Sequence, residues 1–147
     1  MKKTLLILSL FVTTAIQTVQ AAGPDPTSEE AKASFKKEFP GAEIINWSSA
    51  GDLLKAVFIY DGYRSEAYFT EEGELKGSAR NIFYGQLPLA VTRAIEKRYE
   101  KPEVLEVTEI TMGSGTSYVI RLSSGTRSFK LQVDAGGNLI QKEKIRG

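Results

Sequence analysis

The chain has 147 residues, with 19 lysines and arginines against 18 aspartates and glutamates, and it contains neither cysteine nor histidine. These absences exclude thiol nucleophiles, Ser-His triads and the usual zinc sites. The near-neutral charge argues against nucleic acid or an anionic membrane as a partner. The composition therefore predicts a protein that is not an enzyme, although catalysis by carboxylates alone stays open.

The first 21 residues, MKKTLLILSLFVTTAIQTVQA, have the pattern of a secretory signal peptide: two lysines, an apolar run and a small residue before the cut. The alternative is a membrane span, but a span needs roughly 20 apolar residues. We predict cleavage after Ala21, no membrane insertion after cleavage, and one domain over residues 22–147. Export without cysteines favours the periplasm of a Gram-negative cell, with secretion into the medium as the alternative.

The first predicted helix starts at Thr27, because Thr27 and Glu30 have the spacing of a capping box. A Pro-Gly pair ends it at position 40. Its apolar stripe recurs every four residues, at Ala31, Phe35 and Phe39.

Four strands are expected after this helix, near 43–49, 53–60, 63–69 and 75–83, with Asp61-Gly62 as a two-residue hairpin turn. A second helix is predicted from Leu87-Pro88, since proline suits a first helical turn. Four more strands follow, at 104–112, 117–123, 127–134 and 139–145, with turns at Gly113–Gly115, Ser124-Gly125 and Gly136-Gly137.

The order of elements repeats itself, and AYFTEEGEL (67–75) is echoed by LQVDAGGNL (131–139). We therefore predict a tandem duplication of a helix-plus-four-strand unit, with repeats at about 27–85 and 86–147. The fold class is α+β, in which two helices pack on one face of an antiparallel, roughly eight-stranded sheet. The opposite face of the sheet stays open.

Alternation along the strands predicts which residues lie on this open face. Arg64 and Tyr68 lie there if their strand neighbours face the helices. Val57 and Ile59 join them if Phe58 faces the helices, but the second strand is apolar on both sides, so coverage by neighbouring side chains is the alternative. Aromatic, aliphatic and arginine side chains on an exposed face are typical of a binding interface.

Trp47 has the phase of Ile45, and the equivalent positions in the second repeat, Leu105 and Val107, are apolar as well. We therefore predict that Trp47 packs in the core.

The segment TEEGE (70–74) places Glu71, Glu72 and Glu74 in one turn, where carboxylate oxygens suit calcium. A solvated acidic turn is the alternative, because the acidic spacing of an EF-hand is absent. The glycine-rich segments 112–117 and 134–139 lie between predicted strands, so we expect hairpin turns there, with no phosphate site. No other cofactor is predicted.

The stretches FPGAEIINW (39–47), EEGEL (71–75) and LPLAVTRAIEKRY (87–99) resemble the PepSY-like or β-lactamase-inhibitor-like family of small exported bacterial proteins. The resemblance covers nearly all of the chain after the signal peptide. It implies the fold of the β-lactamase inhibitor proteins (BLIP-like) and no established catalytic activity, and some members are labelled calcium-regulated or inhibitor-like by analogy. No residue here matches a known inhibitory contact, so inhibition of a β-lactamase is not carried over.

These observations together predict a non-enzymatic periplasmic binding protein that presents its open sheet face to a protein or peptide, in the manner of an inhibitor. The predicted contact residues are Tyr68, Arg64, Val57 and Ile59. The alternative is a calcium-responsive envelope protein that uses Glu71, Glu72 and Glu74.

Overall fold

The computed structural model describes residues 27–145, so the predicted signal peptide lies outside the described part. The chain runs as helix, four strands, helix, four strands, with a short 3-10 turn at Tyr84–Gln86 before the second helix. The first set is α1 (Glu29–Glu38), β1 (Glu43–Ala50), β2 (Leu53–Tyr60), β3 (Tyr63–Phe69) and β4 (Leu75–Ile82). The second set is α2 (Leu89–Arg98), β5 (Glu103–Met112), β6 (Gly115–Ser124), β7 (Arg127–Asp134) and β8 (Leu139–Ile145).

All eight strands form one antiparallel sheet in which the spatial order equals the chain order. β1 and β8 are therefore its two edges. Both helices pack on the same face. Strand β4 shows this, because Ser78 and Ile82 point to the same side of it. Ser78 pairs with Ala67, which belongs to the core under α1, and Ile82 belongs to the core under α2. The predicted fold class is confirmed.

Two separate apolar cores lie under the helices, one in each half of the sheet. The core under α1 is largely aromatic, whereas the core under α2 is largely aliphatic. Their buried members are Ala31, Phe35, Leu54, Ala56, Phe58, Ala67 and Phe69 in the first, and Ile82, Leu87, Val91, Ile95, Tyr99, Val107, Tyr118, Ile120, Leu122, Phe129, Leu131 and Val133 in the second.

A polar strip separates the two cores on the helix side of the sheet. A cavity of about 240 Å³ beside the first core is lined by aromatic residues of that core on one side and by polar residues of the central strands on the other, including Ser65 and Ser78. Arg80 and Glu109 form an ion pair across β4 and β5 at 2.8 Å. Within residues 27–145 the buried apolar residues thus form two separate clusters, and the β4–β5 ladder joins the two halves of the sheet.

The helix starts differ slightly from the prediction. Ser28, and not Thr27, caps α1, because its hydroxyl accepts a hydrogen bond from the Ala31 amide at 3.0 Å. Pro88 is the extended residue just before α2, so Leu89 is the first helical residue. The turn between β6 and β7 is formed by Gly125-Thr126, one residue later than expected.

Both repeats carry a β-bulge at the same place in their first strand. The pairing register shifts between Ile44 and Asn46 in β1, and between Val104 and Glu106 in β5. The extra residues, Ile45 and Leu105, are therefore turned outward and are 52% and 57% exposed.

Trp47 packs against Phe35, with ring centroids 5.7 Å apart, and Val107 is buried in the second core. The prediction that Trp47 belongs to the core is confirmed. The prediction that Ile45 and Leu105 point to the same side as Trp47 and Val107 is wrong. In each strand the bulge interrupts the alternation before the next core residue.

Candidate partner-binding face

The sheet face opposite the helices is covered by no element of residues 27–145, and we call it the open face. In β3, Ala67 and Phe69 belong to the first core, so the intervening Tyr68 and the preceding Arg64 lie on the open face. The structure thus places both residues on the side that alternation predicted.

The phase of β2 is also resolved. Ala56 and Phe58 are fully buried under α1, so Val57 and Ile59 face the opposite way. Val57 is nevertheless only 4% exposed, since it lies between its cross-strand neighbours on β1 and β3. Val57 is therefore covered by neighbouring side chains, as the alternative interpretation expected, and it does not belong to the accessible surface. Ile59 is half-buried.

Tyr68 is held in a fixed orientation on this face. Its hydroxyl donates a hydrogen bond to Glu66 Oε2 at 2.8 Å. Partial burial, followed by the hydrogen bond and charge of Glu66, raises the pKa of Tyr68 to about 12. The phenol is therefore neutral at physiological pH and presents a rigid ring with a polar end, a side chain often found at the centre of binding interfaces.

The open face is concave. A single depression of about 570 Å³ is lined by side chains of β3 through β8, from Tyr68 on one side to Ile145 on the other. In a flat sheet these two strands would lie roughly 24 Å apart, given strand spacings of about 4.8 Å. The sheet must therefore curl around this face, and the small side chains of Ala79 and Thr108 help to leave the space open.

A row of four charged residues crosses the depression from strand to strand. Cross-strand pairs join Glu106 to Arg121, Arg121 to Lys130, and Lys130 to Glu143. Arg121 Nη1 lies 3.3 Å from Glu106 Oε2. All four line the same depression as Tyr68. Sequence reasoning missed these residues because each is an ordinary outward charge on its own strand, and their alignment into a row depends on the pairing register of four strands.

Arg64 lies beside this depression. It lines a smaller adjoining one of about 240 Å³, which shares Glu66, Ala79, Glu106 and Thr108 with the larger one. The two residues predicted from alternation, Arg64 and Tyr68, therefore belong to one continuous concave surface.

The acidic turn lies at the far end of the β3–β4 hairpin, away from the charged row. Glu74 forms an ion pair with Lys76 at 2.6 Å. A hydrogen bond from its own backbone amide, and a second one with Thr70, lower the pKa of Glu72. Within residues 27–145, no three acidic side chains come close enough together to hold a metal ion.

No protein-family model and no curated protein sequence matches the chain. Its fold is similar to solved structures from Bacteroides species. A "putative periplasmic" protein from Bacteroides eggerthii is 18% identical with a TM-score of 0.73, over 81% of this chain and 89% of that one. A BLIP-like protein from Bacteroides fragilis is 24% identical with a TM-score of 0.71, over 84% and 89% of the two chains.

A DUF2874 family protein from Bacteroides uniformis is 17% identical with a TM-score of 0.73, over 80% of this chain and 89% of that one. At these identities the likeness concerns the fold alone, and the fold of this chain is BLIP-like. Neither helix of the described part is long and apolar enough to cross a membrane.

Proposed function

We propose that this chain is a non-enzymatic periplasmic binding protein whose concave open face receives a protein or peptide partner, in the manner of an inhibitor. The observation that carries the proposal is the depression of about 570 Å³, lined by six consecutive strands on a face that neither helix covers. Its volume falls in the range of ligand sites, although it is open like a docking groove.

The residues on this surface have the composition of an interface. Tyr68 and Arg64 belong to the residue types enriched at binding sites, and Val119, Ile110 and Ile145 add apolar surface between charged side chains. Glu66 fixes the ring of Tyr68, so little conformational entropy would be lost there on binding.

The carboxyl groups give no support for catalysis. A general acid at neutral pH needs a raised pKa, as burial or a neighbouring acid would produce. Among residues 27–145, every carboxyl group with a shifted pKa (Glu29, Glu72 and Asp134) is shifted downward by hydrogen bonds or a nearby lysine. We therefore infer that the protein binds a partner without transforming it.

A periplasmic location is supported by the signal-peptide pattern of residues 1–21 and by the Bacteroides eggerthii protein of the same fold, which is described as periplasmic. Membership of the PepSY-like family rests on the sequence resemblance alone and stays a proposal.

Capture of a partner from periplasmic extract, identified by mass spectrometry, tests the proposal. We expect a variant with Tyr68→Ala and Arg64→Ala to keep the wild-type circular dichroism spectrum. The amount of partner that it captures should fall about tenfold or more below that of the wild type. The matched control is Arg93→Ala with Lys97→Ala, two exposed residues on α2. Equal capture by the open-face variant and the control would contradict the proposal.

Calcium binding by Glu71, Glu72 and Glu74 stays a prediction from the sequence. Calorimetric titration of the purified protein with calcium chloride tests it directly, and absence of heat at millimolar calcium would contradict it.

A further inference from the structure

We infer that the depression recognises a side-chain carboxylate of its partner, held between Arg121 and Lys130, with an apolar residue of the same partner segment beside it. This inference rests on the proposed function, because it specifies what the open face binds. The occupant to which it commits is an extended protein or peptide segment that carries one aspartate or glutamate.

The first observation is a pair of like charges placed directly opposite each other. Arg121 of β6 and Lys130 of β7 are cross-strand partners on the open face. Like charges in this arrangement destabilise a sheet. Arg121 is partly compensated by Glu106 at 3.3 Å. Lys130 has Glu143 as its cross-strand partner on β8, but within residues 27–145 no carboxylate lies within ion-pair distance of its amine. A carboxylate between the two cations would relieve the repulsion.

The second observation is that acids lie on both sides of the cations. Glu106 and Glu143 are the outer members of the row, and Glu66 also lines the depression. These acids would repel a polyanion such as a nucleic acid or an anionic membrane surface. A single carboxylate fits the centre of the row, and the outer acids are placed to accept hydrogen bonds from amide groups of the same segment.

The third observation is the apolar surface next to the cations. Val119 lies two residues from Arg121 on the same face of β6, and Ala79 and Ile110 are cross-strand partners in the same depression. The short Ala79 side chain leaves room for a larger one from outside. An apolar residue next to the carboxylate would therefore be buried at the same time.

The first repeat supplies an internal comparison. In each repeat, the row that starts directly after the β-bulge occupies the same place in the fold. In the first repeat this row is Asn46, Val57, Glu66 and Ala79, where the second repeat has Glu106, Arg121, Lys130 and Glu143. The fold therefore does not need two adjacent cations at this place, because the first repeat has none in its row.

The test uses two synthetic octapeptide pools that are randomised identically and differ only in a central glutamate or glutamine. The peptides retained by the immobilised full-length mature protein are measured by mass spectrometry. We expect the glutamate pool to be retained about tenfold better, as a charge-assisted contact predicts. Arg121→Gln with Lys130→Gln should bring the two pools to parity, while the control Lys55→Gln, on the open face but outside the depression, should keep the preference.

The melting temperature of the double variant is measured in parallel. We expect it to be unchanged or raised, because the like-charge pair is removed and the exposed Arg121–Glu106 ion pair contributes little. A preference that is lost without a fall in melting temperature is not due to unfolding. Equal retention of the two pools by the wild type, or a preference that persists in the double variant, would overturn the inference. If capture from extract still depends on Tyr68 and Arg64 while the pools are retained equally, the proposed function stands and only the carboxylate site is wrong.

Discussion

Gly73 and Gly137 occupy equivalent turns in the two repeats, and each turn lies directly against the first half of its own helix. Their φ angles are +86° and +84°, a region that suits glycine. A Cβ atom at Gly73 would lie 2.6 Å from the carbonyl oxygen of Glu30, and one at Gly137 would lie 2.5 Å from that of Ala90. The repeated sequence pattern is thus explained by a repeated contact between hairpin and helix.

We expect Gly73→Ala to lower the free energy of unfolding by about 2–5 kcal/mol, because backbone strain and overlap with the helix add together. Gly125→Ala is the matched control, since its φ is +60° but its Cβ would meet open space. This control should cost only about 1–2 kcal/mol. Urea unfolding measures both, and equal losses would show that the contact with α1 contributes nothing.

Tyr68 gives a pH dependence whose sign follows from the raised pKa. Between pH 10.0 and about 12 the folded protein keeps the phenol proton that the unfolded chain has lost. The contribution of the Tyr68 phenol to the free energy of unfolding is therefore complete below pH 10.0, and it decreases as the pH rises from 10.0 to about 12. Tyr68→Phe lacks this component, so the stability difference between wild type and variant should shrink with rising pH.

Absorbance titration of the wild type minus Tyr68→Phe isolates this phenol. We expect Glu66→Gln to lower the midpoint only in part, since burial is the larger cause of the shift. A midpoint near the ordinary value of 10.0 in the wild type would contradict the placement of Tyr68 against Glu66.

At the scale of the element, the start of α1 is tied to the turn between β3 and β4 by one side chain. The Ser28 hydroxyl accepts from the Ala31 amide and donates to the carbonyl oxygen of Glu71 at 2.6 Å. Ser28→Ala should therefore cost about 1–2 kcal/mol of unfolding free energy, which is in the range of a lost helix cap. Thr27→Ala should stay within about 0.5 kcal/mol of the wild type. If thermal or urea unfolding shows a larger loss for Thr27→Ala than for Ser28→Ala, Thr27 is the residue that caps α1.

The elements themselves follow from sequence patterns. Strands β2, β3, β7 and β8 have the predicted bounds, because glycine-containing turns mark where their hairpins begin and end. The bulges at Ile45 and Leu105 were missed, although in each strand two consecutive apolar residues precede a polar one and so interrupt the alternation. Such an interruption does not by itself tell which of the two apolar residues leaves the core face. Their exposure is therefore visible only in the structure.

At the scale of the whole molecule, the sequence pattern predicts only part of the binding face. Alternation is enough to assign Tyr68 and Arg64 to the open side, because the clear alternation of polar and apolar residues in β7 transfers to β3 through the repeat. It could not reveal that the sheet curls, and the charged row of β5 to β8 becomes part of the same depression only through that curvature. Long-range shape is a property of the twisted sheet as a whole and not of any strand.

The division into two cores predicts that the halves of the molecule open separately. Phe58 is fully buried, with its ring centroid 4.9 Å from that of Phe35 and 4.7 Å from that of Phe39. Phe58→Ala should cost about 3–5 kcal/mol. Because the polar strip separates the cores, this loss should fall mainly on the first half of the sheet.

Native-state hydrogen exchange measures where the loss falls. In Phe58→Ala, amides of β1 to β3 should lose most of their protection while those of β6 and β7 keep more of theirs. Ile120→Ala, a fully buried change in the second core, should give the opposite pattern. A uniform loss over both halves in both variants would mean that the β4–β5 ladder, with the Arg80–Glu109 ion pair across it, couples the repeats into one cooperative unit despite the polar strip between their cores.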